Sequence, residues 1–425
     1  MEKDIYKTSR FLYILEAAFS WFVLLLARDA FLAKLAGAIG ISDSLTGLLT
    51  AFVSLGCGFQ FIAIFLVNKR PVKRYVTVLH GMNELCFALL YCVPFIKISQ
   101  TGKTLLFVLF LLGGYVVYNI LSSPKINWYM ALVEDKNRGR FTAYKEIVSL
   151  IGGFLFTFIM GVVIDKFEAA GNVNGAFAVC GFTVFSLMVV HSVTLLCSKE
   201  KPVENKMEVS VKQAFVEIIG DKNVFKVILL LVIGNITLYA STPFTSTYQI
   251  KELGWSMSLV SIGAALSAVS QAVFSFPLGK FADKHSFAKM LNICYAISAL
   301  EFMLSMFTVP SNGKVLMMIV LILRGIKTAG ISSATINIVY DYVSTEKRMV
   351  ALALANALSG FAGFFTTLAV SPLVSYIQNN GNVFLGIQVY AQQVVAVISL
   401  VLNILLIVYL NVVVKRIKRK NNEEK

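Results

Sequence analysis

Ser122-Ser123-Pro124-Lys125-Ile126-Asn127 and Ser332-Ser333-Ala334-Thr335-Ile336-Asn337 are two versions of one hexapeptide, about 210 residues apart in a chain of 425. The echo continues outward at the same offset. Val133, Arg138, Ala143, Ser149, Gly153 and Phe154 recur as Val343, Arg348, Ala353, Ser359, Gly363 and Phe364. Two fused copies of one helical unit in an apolar chain are the build of membrane proteins that rock one copy against the other around a central site. Transport is the activity such a design implies.

The chain is 57% hydrophobic and 14% charged, with a mean hydropathy of +0.76. A soluble domain of this size would lack the polar residues to cover its exterior. A spanning helix needs about 20 apolar residues, and such stretches run at 11–36, 43–67, 75–96, 104–133, 141–164, 174–197, 224–249, 256–280, 288–309, 313–343, 349–377 and 385–414. The expected fold is an all-α polytopic membrane protein, twelve transmembrane helices in two six-helix pseudo-repeats. The expected domains are an N-terminal bundle at 1–197, a linker at 198–223, a C-terminal bundle at 224–414 and a basic tail at 415–425. Within the linker, Val211, Ala214, Phe215, Ile218 and Ile219 recur at helical spacing behind a capping Ser210, which predicts a surface-lying amphipathic helix. No cleavable leader is expected, because Glu16, Arg28 and Asp29 interrupt the first apolar stretch.

Lys and Arg number 38 against 23 Asp and Glu, a formal charge of +15. The basic residues gather in alternate loops, the asymmetry that places such loops and both termini in the cytoplasm. That pattern reports topology in the cell membrane; it does not call for nucleic acid. The run Lys415-Arg416-Ile417-Lys418-Arg419-Lys420 is placed to meet anionic inner-leaflet lipid. Six cysteines without metal-like spacing read as packing residues. Enzyme motifs are missing: there is no zinc spacing and no nucleophile elbow. Thr101-Gly102-Lys103-Thr104 imitates the end of a phosphate loop, but Lys97 stands where its first glycine belongs. Neither enzymatic activity nor a cofactor or metal is expected.

Between spans 8 and 9 the chain reads Gly279-Lys280-Phe281-Ala282-Asp283-Lys284-His285-Ser286-Phe287-Ala288-Lys289. A glycine, an apolar pair, an Asp and then basic residues resemble the signature loop of the major facilitator superfamily. Gly279 would permit close helix contact, and Asp283 could accept bonds at a helix N-terminus or pair with a base. The first-half counterpart, Ile64 to Arg74, keeps Lys69 and Arg74 but puts Ile64 for the glycine and Asn68 for the Asp. Glu134 to Arg140, with Arg138, resembles the family's loop after span 4, and Thr345-Glu346-Lys347-Arg348 is its repeat partner. In that family such loops latch neighbouring helices in one conformation and release them in the other. The resemblance covers the whole chain and implies a central cavity lined by spans 1, 4, 7 and 10, alternating access, and symport or antiport by a monomer.

Ionisable residues at bilayer depth are costly and mark functional sites. Arg324 and Lys327 share a face of span 10, Lys125 lies in span 4, and Arg28 sits beside Asp29 in span 1. On the family's plan these cations line the cavity and favour an anionic solute. Equally, they could form structural pairs with Asp29, Glu16, Glu301 or Asp341. Glu84 and Glu301 fall near the centres of spans 3 and 9 and should point into their bundles, either to carry a coupling proton or to hold a cation. His80 and His191 read as interfacial. Of the aromatic residues on the cavity spans, Trp21, Tyr115, Tyr118, Trp128, Tyr239 and Tyr248, Trp128 and Tyr239 are the substrate-stacking candidates. The sequence thus predicts a secondary transporter of a small polar, anionic solute, with H+ a candidate coupling ion. The alternatives are an exporter of amphipathic or drug-like compounds, or a transporter-like sensor that binds without transporting.

Overall fold

The computed structural model describes residues 5–60, 62–63, 71–134, 138–201, 211–343 and 348–417. Helices dominate: α1 Lys7–Leu26, α2 Asp29–Ala38, α3 Asp43–Thr50, α4 Phe52–Gly58, α5 Lys73–Leu90, α6 Gln100–Met130, α7 Arg138–Ala169, α8 Val173–Cys197, α9 Val211–Gly220, α10 Lys222–Tyr239, α11 Met257–Lys284, α12 Phe287–Ser305, α13 Gly313–Tyr342, α14 Arg348–Asn379 and α15 Ala391–Val412. Among the described residues, ten segments are long and apolar enough to cross a membrane. The two other expected spans are α3–α4, whose continuation at 64–70 lies outside the described residues, and the 18-residue α5. A two-stranded hairpin, Val383–Phe384 with Ile387–Gln388, is the sole sheet described.

Helix starts are capped as their sequences demand. The Ser99 hydroxyl accepts from Gly102 N at 3.2 Å, Asn172 Oδ1 from Gly175 N at 2.9 Å, and Ser286 Oγ from Lys289 N at 3.1 Å. Asp221 accepts from Asn223 N and Val224 N. Two caps come from far along the chain. Glu200 accepts from Val72 N at 2.6 Å and Lys73 N at 3.2 Å, and Asp165 accepts from Met257 N and Ser258 N at 2.8 and 2.9 Å.

The chain forms two compact units, one of Met1–Ser42, Phe59–Met207 and Ser256–Ile262, the other of Asp43–Gly58, Glu208–Trp255 and Gly263–Lys425. In the first, α1 packs on α7 and α8, while α5 packs on α6 and α8. The second repeats this pattern: α10 packs on α14 and α15, while α12 packs on α13 and α15. The repeat read from the sequence is therefore a repeat of helix neighbours. Tyr13, Val76, Leu121, Tyr129 and Leu195 centre a core in the first unit; Val227, Leu291, Ala334, Leu354 and Leu410 belong to that of the second. Large apolar side chains such as Phe182, Phe276 and Val315 are largely exposed, as a lipid-facing surface requires.

Candidate functional site

In each unit an early span breaks, and the break leaves backbone carbonyls that need donors. Span 1 stops at Leu26 and restarts at Asp29, whose φ of 48° lies in the left-handed region that non-glycine residues rarely adopt. The Tyr91 hydroxyl donates to Leu26 O at 2.6 Å and the Tyr115 hydroxyl to Ala27 O at 2.9 Å. In the second unit α10 ends at Tyr239, and Thr242–Phe244 and Tyr248–Glu252 continue as irregular helix. There the Thr367 hydroxyl donates to Tyr239 O at 2.8 Å.

Arg28 Nε donates to Asp29 Oδ2 at 2.6 Å, and its guanidinium stands 5.7 Å from the centre of the Trp21 ring. Lys125 of α6 meets Glu16 of α1, a fully buried carboxylate. The same Glu16 Oε1 lies 2.8 Å from His191 Nε2 on α8, and His191 Nδ1 lies 2.5 Å from Glu84 Oε1 on α5. His80 packs edge-on against His191, ring centres 4.6 Å apart. Glu16, His191, Glu84 and His80 are all within 2% of complete burial. The two histidines, read from the sequence as interfacial, are instead interior. Each lies about one or more helical turns inside its helix terminus and faces the other across α5 and α8.

The second unit holds a simpler cluster. Glu301 of α12, fully buried, accepts from Arg324 Nε at 2.9 Å and pairs with Lys327 Nζ at 2.6 Å, both on α13. Lys327 also stands 4.7 Å from the centre of the Phe302 ring. Arg324 reaches Thr245 Oγ1 at 3.5 Å, and Gln392 Nε2 reaches the same oxygen at 3.4 Å. Gln392 lines a small, partly open pocket with Asp43, Thr247, Tyr248, Glu252 and Gln378. Gln392 Oε1 and the Thr247 hydroxyl are buried without a hydrogen-bond partner among the described residues. Gly325 lets α13 carry Arg324 close to α11: a Cβ there would sit 2.1 Å from Ser267 O.

A family model described as Major Facilitator Superfamily matches residues 10–367 and again 250–425. The chain belongs to the Major Facilitator Superfamily. It is a multi-pass membrane protein of transporter type, as the sequence reading expected. No curated protein matches it. Among solved structures it is similar to a D-xylose-proton symporter, with a TM-score of 0.70 at 12% identity over 93% of this chain and 97% of that one. It is also similar to the nucleoside transporter NupG, at 0.68 and 13% over 96% and 100%. A bacterial homologue of the iron transporter ferroportin, in an inward-facing state, gives 0.71 at 11% over 96% and 99%. At these identities the shared property is the fold.

On this superfamily scaffold the latch-loop residues are placed unevenly. Asp283, Lys284 and Lys289 are exposed, and α11 runs unbroken through Lys284, so the turn falls at His285-Ser286. A Cβ at Gly279 would meet nothing within 4 Å, so the close helix contact expected there is not made. His285 stacks on Phe281 and Lys280 lies over Phe276. Arg74 is exposed, Arg138 and Arg348 begin α7 and α14, and Asn68 and Lys69 lie outside the described residues. Trp128, buried, donates Nε1–H to Lys199 O at 3.0 Å and stacks on Tyr129. Tyr239 is half-buried beside Gly363. The caps Glu200 and Asp165 and the tyrosines at the span 1 break carried no local signal, since their partners lie elsewhere in the chain.

Proposed function

We propose that the protein is a secondary active transporter of a small anionic solute, working by alternating access in the cell membrane with both termini cytoplasmic. The two bundles, 1–197 and 224–414, would rock about the linker at 198–223. The carrying observation is that Arg324 and Lys327 share a single buried carboxylate, Glu301. Two bases on one acid leave a surplus positive charge, and Arg324 keeps 19% of its side chain exposed, so it can reach a ligand. Guanidinium geometry suits carboxylates and phosphates, which it binds through two parallel hydrogen bonds.

Thermal stabilisation across sugars, sugar acids, phosphorylated sugars, carboxylates and drug-like compounds tests this, because a ligand of the folded state raises Tm by mass action. Shifts confined to anions, lost in Arg324→Ala, are expected. That variant leaves Glu301 and Lys327 as a balanced pair, so its unliganded Tm should stay near that of the parent. Shifts with hydrophobic compounds alone would replace the reading with an amphipathic exporter. Ligand binding without flux in proteoliposomes would make the protein a sensor.

A further inference from the structure

The first unit contains a second kind of site, and it holds more hydrogen-bonding contacts than its ordinary proton count allows. His191 touches a carboxylate through each ring nitrogen, Glu84 at 2.5 Å and Glu16 at 2.8 Å. Ionised carboxylates only accept, and a neutral imidazole has one N–H. Two N···O contacts therefore require two protons, one more than a neutral histidine between two carboxylates would bring.

We propose that Glu16, His191 and Glu84 form a buried proton-binding site, and that its extra proton is the ion that couples transport. The inference deepens the proposed transport reading and rests on it for its purpose. Its logic is charge balance. With His191 doubly protonated, two carboxylates face two cations, His191 and Lys125, and the buried set is neutral. Removal of one proton leaves a net negative charge within the bundle and brings two lone pairs together at hydrogen-bond distance, which the low-dielectric interior penalises heavily. The proton is thus held until the helices separate. On release, the N–H bond of His191 breaks, its electron pair stays on the ring nitrogen, and the proton passes to water that enters as the helices separate. His80, 1% exposed and 4.6 Å from His191 ring to ring, packs edge-on beside the cluster with Asn83 as its polar neighbour.

Every packed helix contributes a facing group: Glu16 and Tyr13 from α1, Glu84 and His80 from α5, and Lys125 and Tyr129 from α6. From α7, Lys145 stands 5.8 Å from the centre of the Tyr13 ring. Glu16, His80 and His191 also present donor atoms within 4.8 Å of one another, a spacing that a divalent metal could use. Such an ion would face the Lys125 ammonium on the same carboxylate and leave the set with excess positive charge. The proton fits the charges already present.

The full-length protein has three histidines, so a nitrogen-15 histidine spectrum resolves each ring. Exposed His285 serves as the internal reference. The expected spectrum at neutral pH shows one ring, other than that of exposed His285, protonated on both nitrogens. That signal should vanish in His191→Gln and change in Glu84→Gln. Three neutral rings would overturn the proposal. So would zinc chloride shifting His80 and His191 together at stoichiometric concentration, which would make the cluster a metal site. The wild-type spectrum needs neither a variant nor a transported solute, so its failure and a negative ligand panel are separate results.

Discussion

Each unit buries one acid–base cluster around a carboxylate from the middle of its third span, Glu84 in the first and Glu301 in the second. The second cluster sets two basic side chains against one acid, and its arginine does not give up its charge in proteins. In the first, two acids meet one lysine and a histidine, the side chain whose charge is adjustable near neutrality. A fixed surplus is suited to holding an anion; an adjustable balance is suited to carrying a proton. The same helix plan thus holds two different charge balances.

The sharpest way to break that comparison is to remove one acid from each cluster. Glu301→Gln leaves buried Lys327 and half-buried Arg324 without a counter-charge and should cost about 3–5 kcal/mol, read by thermal or chemical denaturation. Glu16→Gln should cost clearly less, because Glu84 remains for His191 and the histidine can shed its proton. Equal losses would show that the first cluster is as rigidly charged as the second.

Backbone approach gives the next contrast. Gly325→Ala would drive a methyl group into the Ser267 carbonyl and should lower stability by about 1–3 kcal/mol. Gly279→Ala, in the signature loop, meets open space and should stay within about 0.5 kcal/mol of the parent. The reverse order would mean that the loop glycine packs closely in the resting protein.

Smaller effects are expected at the two helix breaks. Tyr91→Phe and Tyr115→Phe each remove a hydroxyl from a freed carbonyl in the first unit, and Thr367→Val does so in the second. Each should cost about 1 kcal/mol in Tm-based measurements. A much larger loss at Tyr115 than at Thr367 would mark span 1 as the more strained of the pair.

Much of the fold was legible because membrane insertion writes itself locally: apolar length and the Ser122/Ser332 repeat each occupy a short stretch. The intramembrane charges were legible too, since a carboxylate at bilayer depth needs a partner. Which partner was not, because Glu16 and Lys125, or Glu84 and His191, stand more than a hundred residues apart and meet only through packing. His80 and His191 were misplaced because distance from a helix end says little about which face a side chain occupies. The break at Ala27-Arg28 carries neither proline nor glycine, so no local residue announces it.

The most direct test of the division between clusters is solute entry into proteoliposomes under an imposed pH gradient, using the anion that stabilises the protein in the ligand panel. The account predicts that Arg324→Ala abolishes both gradient-driven accumulation and solute exchange, whereas His191→Gln abolishes accumulation and retains exchange. Undiminished entry in Arg324→Ala, or accumulation that persists in His191→Gln, would contradict it.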